Sequence, residues 1–298
     1  LYMKASTNIL VALYNILKRN STVLTPIYKS NGAPNAAGDS LEFFIKDMFC
    51  TGASQYFYEH EKNNVYAEYL SWTGDSSHFP DFIVKGGVGV EPKKINNKSI
   101  GNLALNSSYP KDYIYPDSQN IPGPELLREN ENWDKKEIIY VVGNLDKTSN
   151  KLFSLWMVYG NTFIADKSVY LNIIEEIRTA VAKTNATLSK SKELARAIGI
   201  DPLRHSNLRV RGMYELNHPA FVFRQYIDDK NHVFPKDATQ INVVMLKKDF
   251  LQLEKEEVSP DLTDFYNKGK LLKKEILLPD PNDLNNKIES VILYGYTN

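Results

Sequence analysis

Apolar side chains recur at helical spacing in two segments near the start of the chain. Residues 7–19 and residues 41–49 each place isoleucine, leucine, phenylalanine or methionine every three to four positions. Asp39 or Ser40 can cap the second helix, and Glu42 lies in its first turn. We therefore predict two helices that face the core before residue 50.

Strand-type patterns dominate the middle of the chain. Short β-type runs flank a pair of glycines and predict a hairpin, and two longer apolar runs are typical of buried strands. The segments with strand-type patterns are 65–70, 81–85, 88–95, 137–142, 152–159, 207–213 and 241–246.

A further helix is predicted after Asp166, a suitable N-cap. Val169, Ile173, Ile177 and Val181 follow at intervals of four residues, and we interpret this row as a stripe that faces the core. Helices alternate with strand pairs along the chain. This order predicts an α/β or α+β fold, with a mixed β-sheet flanked by helices.

Composition excludes several classes of protein. The chain has 298 residues, 42% of them hydrophobic, with 36 basic and 36 acidic side chains, so it can bury a sizeable core and carries no formal net charge. This balance argues against a histone-like or polybasic membrane-binding protein, but not against a local basic groove. No apolar run is long enough to span a bilayer, and no signal peptide is visible, so we expect no membrane association. Cys50 cannot form an internal disulfide, which fits a reducing cytoplasm, and we expect it to be buried.

The sharpest chemical signal is two acids and a lysine in the predicted hairpin. Asp81 follows a proline, and Glu91 and Lys93 flank Pro92 nine residues later. Side chains at positions i and i+2 of a strand share one face, so Glu91 and Lys93 project together. A two-residue turn at the glycines would put Asp81 on the other face. We therefore predict a three-residue turn or a bulge, which the glycine-rich sequence permits.

Such a group suits attack on a phosphodiester. Asp81 and Glu91 offer hard oxygen ligands for Mg²⁺, with the backbone carbonyl of Pro92 as a further ligand. Lys93 could orient the attacking water or stabilise the developing negative charge. Glu42 could hold a water or a second metal. The alternative is a solvated surface ion pair without catalytic meaning, because an acid and a lysine often share a strand face.

Eight blocks of sequence are distinctive, namely residues 38–42 (GDSLE), 45–47 (IKD), 91–95 (EPKKI), 103–111 (LALNSSYPK), 131–134 (ENWD), 154–160 (SLWMVYG), 201–203 (DPL) and 208–213 (LRVRGM). In these blocks and in their order, the chain resembles the NgoPII-type type II restriction endonucleases of the PD-(D/E)XK nuclease superfamily. Pro92 stands where the family favours a small apolar residue.

The resemblance implies a restriction-endonuclease core with Asp81, Glu91 and Lys93 as catalytic residues, and Glu42 beside them. It implies a homodimer that uses Mg²⁺, with Mn²⁺ able to substitute. The expected substrate is double-stranded DNA with a short palindromic, GC-rich site of the GGCC kind, cut to leave 5′-phosphate ends. A DNA methyltransferase is the expected functional partner, and the bacterial cytoplasm the expected location. We expect residues 1–298 to form a single domain, with the catalytic core mainly in 1–160 and helical dimer and recognition elements in 161–298.

Arg209 and Arg211 alternate with apolar residues, so on a strand both would project from one face. Arginine can bond guanine O6 and N7 in the major groove, although a solvent-facing strand would give the same pattern. Other polar side chains suit phosphate or base-edge contacts, with solvated loops as the alternative. These candidates are Arg204, His205, Asn207, Lys94, Asn106, Ser107, Ser108, Tyr109 and Lys111.

Two other functions remain open from the residues alone. The first is another PD-(D/E)XK DNA nuclease, such as a repair or junction-cleaving enzyme. The second is a DNA-binding protein in which the acidic cluster is inert. Cleavage of plasmid DNA into sharp bands separates the restriction enzyme from both.

Overall fold

The structure is a computed structural model that describes residues 4–19, 21–29, 31–32, 40–106, 108–118, 120–129, 132–184, 186–189, 191, 193–227 and 235–298, without the side chain of Asn106. Asp39 and Ser107, named above as a helix cap and a DNA contact, lie outside these residues. No helix in the described ranges is both long and apolar enough to cross a membrane.

The α-helices of the described residues are distributed along the chain as far as residue 267, and two strands follow. Two of them, α1 and α2, confirm the helices expected before residue 50. Their bounds are α1 (Ile9–Lys18), α2 (Ser40–Phe49), α3 (Glu59–Tyr69), α4 (Lys167–Ala182), α5 (Pro219–Phe223), α6 (Lys247–Leu253) and α7 (Thr263–Asn267).

Strands form a large central sheet and two small ones. The central sheet has the order β1-β2-β3-β6-β7-β12-β14-β13, with β5 added beside β6, while β10-β9-β8 and β11-β4 form the small sheets. The strands are β1 (Leu70–Trp72), β2 (Phe82–Val84), β3 (Gly89–Ile95), β4 (Leu103–Asn106), β5 (Tyr113–Ile114), β6 (Lys136–Leu145), β7 (Leu152–Tyr159), β8 (Thr187–Leu188), β9 (Ala195–Ile198), β10 (Asn207–Val210), β11 (Met213–Leu216), β12 (Thr239–Leu246), β13 (Leu271–Asp280) and β14 (Asp283–Thr297).

The central sheet is mixed, which confirms the predicted fold class. β3 runs parallel to β6 and β7 runs parallel to β12, whereas the other neighbours of the main order are antiparallel. This arrangement is compatible with a restriction-endonuclease-like fold. Strands from both sides of residue 160 pair at β7 and β12. The division into a catalytic part and a recognition part stays a prediction.

One face of the central sheet is covered by α1 and α2. Asn8 caps α1 by accepting hydrogen bonds from the backbone N–H groups of Leu10 and Val11. The apolar stripes of both helices are buried in one cluster with the inner side chains of β6, β7 and β12. Cys50, just after α2, is fully buried in this cluster, as expected.

The strand expected at residues 65–70 is wrong, because most of that segment belongs to α3. Its buried face is polar: Lys62 and Tyr66 lie one turn apart, and each contacts the carboxylate of Asp47 on α2 at 2.6 Å. A helix held by a buried ion pair and a hydroxyl has no apolar stripe, so periodicity does not reveal it.

The row on α4 is also not the core stripe that we expected. Val169 and Ile173 are 47% and 54% exposed, and Ile177 and Val181 are half-buried. Ile174 is instead the buried apolar residue of this helix. Spacing determines which side chains share a face of a helix, but it does not determine what covers that face. The structure thus leaves an apolar row open on α4.

Candidate active site

The β2–β3 hairpin has the irregular turn that the sequence predicted. Val84 N–H donates to the carbonyl of Val88 at 2.9 Å, which leaves three residues in the turn. The middle residue, Gly86, has a φ of 64°, a conformation that glycine adopts without steric cost. Phe82 pairs with Val90, so the same register carried one residue further places Asp81 opposite Glu91.

Glu91 is the centre of the candidate site. Its carboxylate accepts a hydrogen bond from the backbone N–H of Asp81 at 3.1 Å on one oxygen and pairs with the Nζ of Lys93 at 2.6 Å on the other. Glu91 is only 6% exposed, so both contacts form where water is scarce. The structure therefore brings Asp81, Glu91 and Lys93 together on one face of the hairpin.

Acidic side chains cluster around Asp81 and oppose its ionisation. Burial, followed by the neighbouring carboxylates of Glu91 and Glu42, raises the pKa of Asp81 to about 7. Lys93 and Lys46 oppose this shift but do not cancel it. A carboxylate that is hard to ionise among other carboxylates is one whose charge a cation would stabilise.

Lys93 is held as an ammonium. Burial acts to lower its pKa, but the attraction of Glu91, Asp81 and Glu42 outweighs burial and raises the pKa above the usual value. A lysine in this state donates hydrogen bonds and positive charge at neutral pH. It does not supply a general base, which would require a lowered pKa.

Glu42 lies at the border of this group. Its carboxylate pairs with Lys46, one turn along α2, at 2.5 Å, and Lys46 also donates to the carbonyl of Thr73 at 2.8 Å. Lys46 is 4% exposed. Sequence reasoning overlooked Lys46, although its i+4 spacing from Glu42 predicts such a pair.

Pro92 fits the strand for a simple reason. The Val84–Val88 hydrogen bond fixes residues 88, 90 and 92 as those whose backbone groups point toward β2. Since β2 begins at Phe82, opposite Val90, Pro92 lies past its end. The N–H that proline lacks would have had no partner in β2. The carbonyl of Pro92 points to the same side as the Asp81 segment.

The donors of this site fit a hard divalent cation. Within the described ranges, no group of three or more His, Cys, Asp or Glu side chains is arranged to hold a metal. Mg²⁺, however, usually keeps several waters and takes only one or two carboxylates, together with phosphate oxygens. Asp81, Glu91 and the Pro92 carbonyl supply that smaller set of oxygen ligands.

A cavity of about 550 Å³ opens beside Glu91, whereas Asp81 and Glu42 are not part of its wall. Glu91 and Lys93 line one part of its wall, and Ser108 and Tyr109 another. Further along, the wall is formed by residues from α4, from the segment before β9 and from the segment around β11: Ile174, Arg178, Glu193, Leu194, Arg211, Gly212 and Tyr214. The cavity thus connects the acid–lysine group with arginines from the other half of the chain.

Lys111, expected at the DNA surface, is only 2% exposed. Its Nζ donates to Ser108 Oγ and Tyr109 O and lies 4.6 Å and 4.3 Å from the ring centroids of Phe79 and Tyr109. Burial lowers the pKa of Lys111 to about 8, against an opposing effect of Glu91. Ser108 and Tyr109 stand between this ammonium and the cavity.

Arg209 and Arg211 converge, although Arg211 lies just past the end of β10 and the strand expected over residues 207–213 is interrupted there. Both donate to the same oxygen of Glu193: Arg209 through Nε at 2.7 Å and Arg211 through Nε at 2.9 Å. Their side chains are 54% and 64% exposed. The two arginines thus meet at a common partner rather than along one strand face, and Arg211 also lines the cavity.

The other expected DNA contacts are more scattered. Arg204, His205 and Asn207 lie in and after the turn between β9 and β10, outside the cavity wall, and Arg204 donates to Thr187 Oγ1 at 3.0 Å. Lys94 follows Lys93 on β3 and is partly exposed. Asn106 ends β4, next to the segment that lines the cavity.

Two polar residues were missed by sequence reasoning. Arg178 on α4 lines the cavity and donates to the carbonyl of Leu194 at 2.7 Å, but an arginine on a polar helix face carries no distinctive pattern. His218 is fully buried, lies 3.0 Å from Asn144 Oδ1, and has its pKa lowered to about 4 by burial. A neutral, hydrogen-bonded histidine of this kind supports the packing rather than the chemistry.

Comparison with known proteins agrees with this geometry. A family model described as NgoPII restriction endonuclease matches residues 7–276. The type II restriction enzyme NgoPII of Neisseria gonorrhoeae is 36% identical over 225 residues, which cover 75% of this chain and 78% of that enzyme. No solved structure matches the chain.

Proposed function

The chain belongs to the NgoPII restriction endonuclease family, and from this premise we propose that it cuts both strands of double-stranded DNA at a short palindromic site. The site is GC-rich, of the GGCC kind, and cleavage leaves 5′-phosphate ends. The observation that carries the proposal is the convergence of Asp81, Glu91 and Lys93 beside a cavity that arginines also line.

The chemistry is divided between acids and lysine. Asp81, Glu91 and the Pro92 carbonyl would hold Mg²⁺, with Mn²⁺ as a substitute. When bound, the ion would offset the negative charge of the phosphate and lower the pKa of a water molecule, which makes that water a better nucleophile. Lys93, kept protonated by Glu91, donates a hydrogen bond to the attacking water or to the phosphate oxygens as their charge grows. Glu42 pairs with Lys46 and would hold its ammonium group near Asp81.

Contacts to DNA extend from the acids along the cavity. Ser108 and Tyr109, together with Lys94, Asn106 and Ser107, would bind phosphates near the cut, and Lys111 would support Ser108 from behind. Arg209 and Arg211 would read guanine, with Arg204, His205 and Asn207 on flanking DNA. The assignments of Ser108, Tyr109 and Arg211 are supported by their position on the cavity wall.

Two copies of the chain would act together. A palindrome presents two identical scissile bonds, and a protein two-fold axis matches that symmetry. The apolar row on α4 supports this, because exposed apolar side chains such as Val169 and Ile173 are typical of protein contact surfaces. We further propose a bacterial cytoplasmic location, with a DNA methyltransferase that protects the host sites.

Digestion of a fully sequenced plasmid tests the proposal. With Mg²⁺, the protein should give sharp bands, and sequencing of the ends should define a GC-rich palindrome with 5′-phosphates. Asp81→Asn should bind the same DNA without cutting it, while Asp134→Asn, a change at an exposed acid outside the site, should cut normally. Cleavage of branched DNA alone, or no cleavage with Mg²⁺ or Mn²⁺, would contradict the proposal.

A further inference from the structure

Glu193 has an unusual arrangement for an ion-pair partner. Two arginines, Arg209 and Arg211, share its Oε1 atom, with Arg209 Nη2 also within 2.6 Å of that atom. The other oxygen, Oε2, is buried and has no hydrogen-bond partner among the described residues. Arginine–carboxylate pairs frequently engage both oxygens through the guanidinium fork.

The unpaired oxygen is costly unless something binds it. A buried carboxylate oxygen without a donor loses its hydration and gains nothing in return. The attraction of Arg209 and then Arg211 lowers the pKa of Glu193, so the group stays ionised and acts only as an acceptor. Within the described residues Oε2 thus has an acceptor position that a donor on a bound ligand could fill.

The position of Glu193 indicates which ligand. Glu193 and Arg211 line the same cavity as Glu91 and Lys93. DNA held against the acids would therefore present base edges near Glu193. In the major groove, guanine offers two acceptors to an arginine, and its partner cytosine offers the N4 amine, a donor that acidic side chains accept.

We propose that Glu193 is a specificity-determining residue that accepts the N4 amine of a cytosine while it holds Arg209 and Arg211 for the paired guanine. This inference rests on the proposed function, because it requires a DNA substrate with G·C pairs. Glu193 and the two arginines then contact the cytosine and the guanine of one G·C pair. If another base pair replaced it, the carboxylate or an arginine would lose its hydrogen-bond partner.

Base analogues test the contact atom by atom. The substrate is the duplex that plasmid mapping identifies, with each cytosine of the site replaced in turn by 2-pyrimidinone, which lacks the N4 amine but keeps the ring. For wild type, kcat/KM should fall by about 5- to 150-fold more at one cytosine position than at the others, the range expected for one good base contact, because every substitution also removes one hydrogen bond of the base pair. No larger loss at any one position would overturn the inference without the need for a variant.

Variants then assign the loss to Glu193. In Glu193→Ala, cleavage of the natural duplex should be slower. Removal of the same amine should then cause only the loss that a weakened base pair causes, as at the other cytosines, because the carboxylate partner is already absent. In Glu215→Ala, which changes an exposed acid on the adjacent β11 that binds Asn102, the amine effect should persist in full. If Glu193→Ala keeps the full amine effect, Glu193 only orients the arginines and the inference is wrong.

The result also separates this inference from the proposed function. If wild type cuts no duplex DNA, or cuts at a site without G·C pairs, the proposed function itself fails. If wild type cuts a GC-rich palindrome and tolerates loss of every cytosine amine equally, only the role of Glu193 fails. Glu193→Gln, which can keep one acceptor oxygen for the arginines but replaces the other oxygen with an NH2 donor, should lose the amine effect as Glu193→Ala does.

Discussion

Asp81→Asn should make the metal-free protein more stable, although it removes a residue of the candidate site. The pKa of Asp81 is about 7, against an ordinary value of 3.8, because burial and the charges of Glu91 and Glu42 oppose ionisation. At about 1.4 kcal/mol per pH unit, this difference sets a ceiling of about 4 kcal/mol on the cost of the ionised form. Because part of the side chain meets water and can relax, we expect a gain of about 1–3 kcal/mol for Asn above pH 7.

The pH dependence has a definite sign. Asp81 has a folded pKa above its unfolded value, so the stability that its protonation contributes is fully present below pH 3.8 and is lost as the pH rises through 7. Asparagine does not titrate. The advantage of Asp81→Asn should therefore be largest above pH 7 and should shrink as the pH falls toward 4.

Urea unfolding in EDTA, followed by circular dichroism at several pH values, measures this difference. In saturating Mn²⁺ the order should reverse, because the ion binds and stabilises the folded wild type but not the variant. Asp134→Asn should change neither result, since Asp134 is exposed and outside the site. A variant that is less stable than wild type at pH 8 in EDTA would refute this account of the site's electrostatics.

Three other changes test separate parts of the structure. Lys93→Met should reduce kcat by on the order of 10²- to 10³-fold, as for loss of a charge-stabilising donor, with DNA affinity nearly unchanged in a filter-binding assay. An equal loss of kcat and of DNA affinity would contradict a role in the chemical step. The double change Val169→Glu and Ile173→Glu should shift the protein toward monomer in analytical ultracentrifugation and slow double-strand cleavage more than nicking; a persistent dimer would place the contact elsewhere. Burial and the charge of Asp249 raise the pKa of Glu137 to about 7, so Glu137→Gln should be more stable than wild type above pH 7 in EDTA. Because Glu137 lies outside the candidate site, this order should stay the same in Mn²⁺, and the variant should cleave DNA normally.

Much of the fold could be predicted because local patterns and tertiary packing agree. The stripes of α1 and α2 face the core, and β6, β7 and β12 are apolar runs that the sheet buries on both faces. The turn of the β2–β3 hairpin followed from parity alone, since only an odd loop places Asp81 on the face of Glu91.

Other features depend on long-range contacts that periodicity does not encode. α3 is held by Lys62 and Tyr66 on the buried carboxylate of Asp47, a polar arrangement without an apolar stripe. Glu193 is distant in sequence from Glu91, and only the folded chain shows that both line one cavity. The burial of Lys111 is likewise a result of the aromatic rings that surround it.

The most direct test of the central claim is the location of a bound cation. Crystals grown with Mn²⁺ should give an anomalous difference peak between the carboxylates of Asp81 and Glu91, within about 2.5 Å of an oxygen of each. The peak should disappear in Asp81→Asn. Two results would contradict the account when the same wild-type protein cleaves DNA with Mn²⁺. The first is a peak only elsewhere in the molecule, and the second is no peak between these two acids.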